Sequence, residues 1–139
     1  MEQIHATAID IDGNGVLLLG PSASGKSDLA LRLIDDGARL VADDRVDLCL
    51  IDGRLMASAP AELAGKLEVR GLGIQPMDAV PKTAIALAVE LVALNEIERV
   101  PEPAVREFLR LSIPLVRLYG LEASAPAKVR VALKATTGL

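Results

Sequence analysis

The chain is 139 residues long, the length of one ordinary domain, and 51% of it is hydrophobic although aromatics supply only 1%. The core must therefore be built from Leu, Val, Ile and Ala, and a net charge of −4 with so few rings excludes an electrostatic, base-stacking nucleic-acid binder. The single cysteine, Cys49, excludes an internal disulfide, and the longest apolar stretch, residues 84–94, is interrupted by Glu90 and too short to cross a bilayer.

Residues 1–15 carry Glu2, His5, Asp10 and Asp12 with no basic start and apolar block, so no secretory signal is read and a soluble, cytoplasmic chain is expected. Residues 6–11 read as a strand, and the turn Asp12-Gly13-Asn14-Gly15 joins it to the apolar strand 16–19. Then comes Gly20-Pro21-Ser22-Ala23-Ser24-Gly25-Lys26-Ser27, which satisfies the phosphate-loop pattern. A helix follows over 26–36, with Leu29, Ala30, Leu33 and Ile34 at helical spacing and Gly37 as its stop. The short strand 38–42 ends at Asp43-Asp44. Strands 46–51 and 54–57 flank Asp52-Gly53, the strongest hairpin signal in the chain. Cys49 falls in the first of them and reads as a buried structural thiol.

Residues 60–65 look like a loop or one helical turn, and 67–74 begin with strand alternation and end in a glycine-bearing turn. Pro76 and Pro81 then keep the chain irregular. Residues 83–94 suit a buried strand, although their alanines leave a helix open. Pro103 at a helix start, followed by Val105, Phe108 and Leu109, predicts a short helix to about Leu111; residues 113–118 form one more strand. Ser124 is placed to cap a helix over 125–134 with Val129, Ala132 and Leu133 on its buried face. No repeat or linker divides the series, so one domain over 1–139 with one continuous core is expected.

The loop has specific physics. Gly20 and Gly25 let the backbone approach a ligand with no Cβ in the way, so that successive N–H groups face phosphate oxygens. The following helix adds unpaired first-turn donors and the positive end of its dipole. Lys26 can set a point charge against the β and γ phosphates, and the Ser27 hydroxyl can ligate the magnesium that bridges them. Transfer to a hydroxyl also needs a proton acceptor, which a carboxylate at Asp43 or Asp44 could supply. Adjacent strand-end aspartates point in opposite directions, so one would face metal or water and the other substrate. An acidic turn exposed to water is the alternative. Read by themselves, Glu68 is a surface glutamate, His5 a partly buried strand residue, and Arg70 either a phosphate contact or a surface ion pair.

Taken together, the phosphate loop, Arg39-Leu40-Val41-Ala42-Asp43-Asp44 and Glu68-Val69-Arg70-Gly71-Leu72-Gly73-Ile74 resemble the catalytic domain of the bacterial HPr kinase/phosphorylase family. The resemblance runs from about His5 to Ile74. It implies an α/β phosphate-loop domain of the HPr kinase-like (PEP carboxykinase-like) kind, with a mixed sheet and flanking helices. It also implies an ATP- and magnesium-dependent kinase that phosphorylates a serine of HPr or a nitrogen-system HPr homologue, in many members with the reverse phosphorolysis. Members assemble as hexamers, and a chain starting at the catalytic domain looks like the family's short form.

Carried over by resemblance, Gly20, Pro21, Ser22, Ala23, Ser24, Gly25, Lys26 and Ser27 would bind ATP. Asp44 would accept the seryl proton, and His5 would sit beside the reacting phosphate. Ser27, Asp43 and Glu68 would serve magnesium, and Arg99, in a weaker match at Glu98-Arg99-Val100, would stabilise charge. The segment 114–120 departs from the family pattern linked to phosphorolysis, which leaves the reverse reaction open. A small-molecule kinase and a non-catalytic nucleotide-binding regulator are the competing readings of the same loop.

Overall fold

The computed structural model describes residues 1–138. Eleven strands and two helices follow one another as β1 (Glu2–His5), β2 (Thr7–Ile11), β3 (Asn14–Leu19), α1 (Lys26–Asp35), β4 (Arg39–Ala42), β5 (Arg45–Ile51), β6 (Arg54–Ser58), β7 (Lys66–Val69), β8 (Gly73–Pro76), β9 (Lys82–Leu91), β10 (Ala104–Phe108), β11 (Leu111–Leu118) and α2 (Ala125–Thr137). Single 3-10 turns at Ala61–Leu63 and Leu94–Glu96 complete the regular structure.

Nine strands make one mixed sheet, in which β3, β9 and β11 run parallel and the other neighbours antiparallel. The ten-residue β9 carries three partners: β6 along its first residues, β3 along most of its length and β11 along its last four. A separate two-stranded ribbon, β7–β8, packs beside α1. The C-terminal ends of the three parallel strands therefore gather at one edge, where open α/β sheets place their ligands.

The core differs from the single continuous one expected. β3 is apolar on both faces, and its side chains alternate between two clusters: Val16 and Leu18 pack with Leu29, Leu33, Leu87, Val129 and Leu133, whereas Leu17 and Leu19 pack with Val41, Leu48, Leu55, Phe108 and Ile113. Both helices lie over the first cluster. The second is covered by strands alone.

Four local expectations are corrected. The helix predicted from Pro103 is the strand β10, hairpinned to β11 through Leu109 (φ 49) and Arg110 (φ 70). Two consecutive left-handed residues are what a tight hairpin turn demands, but without Gly, Asn or Asp the sequence does not announce it. Ser124 sits at the start of α2 without a side-chain cap; its carbonyl instead accepts the Lys128 N–H at 2.9 Å, and the helix runs on to Thr137 before left-handed Gly138 ends it. Gly73–Pro76 forms a strand rather than irregular chain, and Cys49 is half-buried rather than buried. No helix among the described residues is long and apolar enough to cross a membrane.

Candidate active site

The phosphate-loop segment leaves β3 at Leu19 and enters α1 at Lys26. Its backbone needs its glycines: Gly20 has φ 146, and a Cβ there would lie 2.7 Å from Ser24 Oγ and 3.1 Å from the Leu91 carbonyl oxygen. Gly25 has φ 96, and a Cβ on it would meet Leu121 Cδ2 at 2.8 Å. Ala23 is held left-handed at φ 66 without that freedom. Within the loop, the Ser24 N–H donates to the Pro21 carbonyl, whereas the amides of Ala23, Gly25, Lys26 and Ser27 donate to no backbone acceptor among the described residues. Ser24 Oγ is buried with no partner at all. A run of free donors, an orphaned hydroxyl and a helix N-terminus is the donor set that an anionic phosphate chain satisfies.

Lys26 is buried, and its Nζ donates to the carbonyls of Gly20 at 2.7 Å and Pro21 at 2.9 Å. Burial holds its pKa below the usual lysine range, and the charges of Asp43 and Asp44 oppose that shift without cancelling it.

Two strand breaks at the same level create the rest of the site. The chain leaves β1 for β2 at Ala6 and leaves β4 for β5 at Asp43-Asp44, and the Ala6 N–H donates to the Asp44 carbonyl across the gap at 3.2 Å. At the second break the two aspartates part. Asp43 is buried: its Oδ1 accepts the hydroxyls of Thr7 at 2.9 Å and Ser27 at 2.8 Å, and its Oδ2 accepts the Glu68 N–H at 3.1 Å. Asp44 takes a left-handed backbone (φ 71) and turns outward, with its Oδ1 3.3 Å from His5 Nδ1. A non-glycine residue in that region stores strain, a recurrent feature of functional positions.

His5, Lys26, Ser27, Asp43, Asp44 and Glu68 all line one cleft of about 600 Å³, closed on its far side by Arg70 and the glycines of the β7–β8 turn. Arg99 is not among them; it lies exposed in the connection between β9 and β10. Among the described residues no three His, Cys, Asp or Glu side chains converge as a metal site. The Glu68 carboxylate thus lies in the cleft without joining Asp43 in a ready-made cage. The Ser27 hydroxyl with a strand-end carboxylate is nevertheless a hard-oxygen pair that fits magnesium, which takes few protein ligands and keeps waters and substrate phosphates for the rest.

This loop, the Asp43-Asp44 pair and the β7–β8 turn fall inside a stretch, residues 1–119, that matches the model of the HPr Serine kinase C-terminal domain. The chain belongs to that family. Over 72 residues it is 51% identical to the HPr kinase/phosphorylase of Clostridium tetani, covering 52% of this chain and 24% of that protein. The HPr kinase/phosphorylase of Clostridium beijerinckii is 50% identical over the same length, with the same coverage. The chain thus spans about a quarter of these curated relatives. Among solved structures, the Hpr(Ser) kinase/phosphatase from Coxiella burnetii superposes with a TM-score of 0.87 at 26% identity, over 97% of this chain and 95% of that one. The α/β fold expected for an HPr kinase C-terminal domain, a mixed sheet with flanking helices, is therefore established.

Within this HPr kinase domain, sequence reasoning missed three residues that shape the cleft. Thr7 holds Asp43 in place, yet a threonine in a strand carries no signal of its own. Arg32 donates to the carbonyls of Gly120 and Glu122, pinning the segment after β11 against α1. Leu121, carried by that segment, then lies over Gly25. No sequence signal marked this; the structure shows the close approach at Gly120, where a Cβ would lie 2.9 Å from the Ser24 carbonyl oxygen.

Proposed function

We propose that this chain is the catalytic domain of a magnesium- and ATP-dependent serine kinase acting on an HPr-type phosphocarrier. The observation that carries the reading is the meeting of the phosphate-loop end, Lys26 and Ser27, with the outward-facing His5–Asp44 pair in one cleft. In this reading residues 20–27 wrap the phosphates, and Lys26 exchanges its two carbonyl partners for phosphate oxygens. Ser27 and Asp43 would hold magnesium, which would supply neutralising charge to the phosphate oxygens.

The acceptor serine's oxygen forms the new bond to the γ phosphorus as the bond to the β-phosphate oxygen breaks and ADP leaves. Asp44 takes the seryl proton, with His5 fixing the carboxylate's orientation. Thr7 and the Glu68 amide hold Asp43 away from Asp44, so the two carboxylates keep separate tasks. Glu68 and Arg70 face the incoming phosphocarrier. Arg99 has no role in this reading of the single chain. The same reading extends to a cytoplasmic homo-oligomer, hexameric by family resemblance, which the exposed Val100, Val105 and Val131 support.

Incubation with γ-labelled ATP, magnesium and purified HPr tests the proposal. Label on an HPr serine is the expected result. Label on a small metabolite, or none on any acceptor, counts against it.

A further inference from the structure

Residues 119–124 join β11 to α2 and run against the phosphate loop. Contact there is close: a Cβ on Gly120 would lie 2.9 Å from the Ser24 carbonyl oxygen and 2.9 Å from Leu91 Cδ1, and one on Gly25 would lie 2.8 Å from Leu121 Cδ2. Leu121 also lines the cleft that holds Lys26 and Ser27. We infer that Arg32 is a positioning residue for phosphate binding, because it fixes this strap, and through it the loop, in the shape that takes an anion. The inference rests on the phosphate-binding reading above and adds to it what keeps the loop in place.

The loop does little to hold itself. Its Ser24 N–H donates to the Pro21 carbonyl at 3.1 Å, and Lys26 Nζ supplies the bonds to the carbonyls of Gly20 and Pro21. Those two lysine bonds are the ones given up when the ammonium turns to phosphate oxygens. What persists is contact from outside. The Leu91 carbonyl at the end of β9 lies against Gly20, and the strap lies against Ser24 and Gly25. Strand β9 is fixed by its neighbours in the sheet, whereas the strap lies beyond the last residue of β11.

Arg32 supplies the missing anchor. From the middle of α1 its Nη1 donates to the Glu122 carbonyl at 3.1 Å and its Nη2 to the Gly120 carbonyl, so one planar guanidinium grips the residues on either side of Leu121. Asp28, one turn earlier on the same helix, orients the fork by accepting from Nε at 3.0 Å. Lys128 of α2 pairs with the Glu122 carboxylate and holds the strap from its other end. Arg32 is not among the residues that line the cleft, so its effect on a phosphate chain passes through the strap. Without it, the loop must be ordered during binding, and affinity falls by that cost.

Titration calorimetry on the whole chain, with magnesium-ATP and with tripolyphosphate, tests this. Arg32→Met should weaken both ligands by the same factor, roughly tenfold, because the loop's shape serves the phosphates they share. Arg32→Lys keeps the charge but cannot fork to two carbonyls, so its loss should fall between wild type and Arg32→Met. Leu121→Ala should also weaken both ligands, and its loss should not multiply with that of Arg32→Met in the double variant. A purely structural arginine would lower the urea midpoint and leave the folded protein's affinity alone. Affinity within about twofold of wild type in Arg32→Met therefore overturns the inference. So do losses that multiply, or a loss for ATP that tripolyphosphate does not share. Should Arg32→Met fail to fold, Arg32→Lys combined with Leu121→Ala runs the same cycle with the same outcomes. Failure of the wild-type chain to bind tripolyphosphate would instead overturn the phosphate-loop reading, and this inference with it.

Discussion

The Ser27 hydroxyl, on the first turn of α1, donates a 2.8 Å hydrogen bond to Asp43 Oδ1 at the end of β4. That bond joins the phosphate-binding element to the strand that carries both aspartates. Thr7 reaches the same oxygen from β2, so one buried carboxylate ties three elements together. Removing it should be costly: Asp43→Ala leaves three donors without an acceptor, and urea unfolding is expected to show a loss of about 3 kcal/mol or more.

Thr7→Val keeps the shape and removes one donor. Its expected stability loss is about 1 to 2 kcal/mol, because Asp43 retains Ser27 and the Glu68 amide. Magnesium-ATP affinity should fall less than in Asp43→Asn. Equal losses in the two variants, measured by calorimetry, would show that Thr7 does more than hold the carboxylate.

Gly25→Ala should weaken phosphate binding and stability together. The new Cβ would sit at φ 96 and 2.8 Å from Leu121 Cδ2, and the backbone strain alone is about 1 to 2 kcal/mol. Adding Leu121→Ala removes the collision and leaves the backbone strain. The double variant should therefore recover part of the lost stability, a pattern that a double-mutant cycle reads directly.

Much of this was legible in the sequence, for physical reasons that differ by residue. The phosphate loop and the Asp52-Gly53 hairpin announce themselves because each needs particular backbone freedom, and few residue types supply it. Strand β3 was legible as apolar, but burial on both faces looks the same as burial on one, so the second core was not. The Leu109-Arg110 turn was hidden by ordinary residues in a left-handed conformation, and the mostly exposed β10 offered no alternation to replace the missing signal. The separation of Asp43 from Asp44 was expected from strand alternation, but it arises at the break after β4, where Asp44 is left-handed (φ 71). What holds them apart, Thr7 and the Glu68 amide, depends on contacts 36 and 25 residues away in the chain.

Lys26 gives a pH signature. Burial keeps its folded pKa below the value in the unfolded chain, so below the folded pKa the protonated lysine costs stability in full. That cost is relieved as pH rises from the folded pKa toward the unfolded one. Lys26→Met removes the titration, so its melting temperature should exceed that of the unliganded wild type at neutral pH, with the gap closing as pH rises toward 10.5, the ordinary pKa of a lysine. The same variant should not bind tripolyphosphate. A constant gap across that range would place the origin of any stabilisation elsewhere.

The most direct measurement is single-turnover phosphoryl transfer from ATP to HPr by Asp44→Asn, alongside its Mg-ATP affinity. The Asp44 carboxylate is exposed and, among the described residues, pairs with His5, so the change leaves the loop and Asp43 in place. Affinity within a few-fold of wild type, with transfer slower by at least about 100-fold, is the predicted result. Transfer at the wild-type rate would contradict the assignment of Asp44 as the proton acceptor.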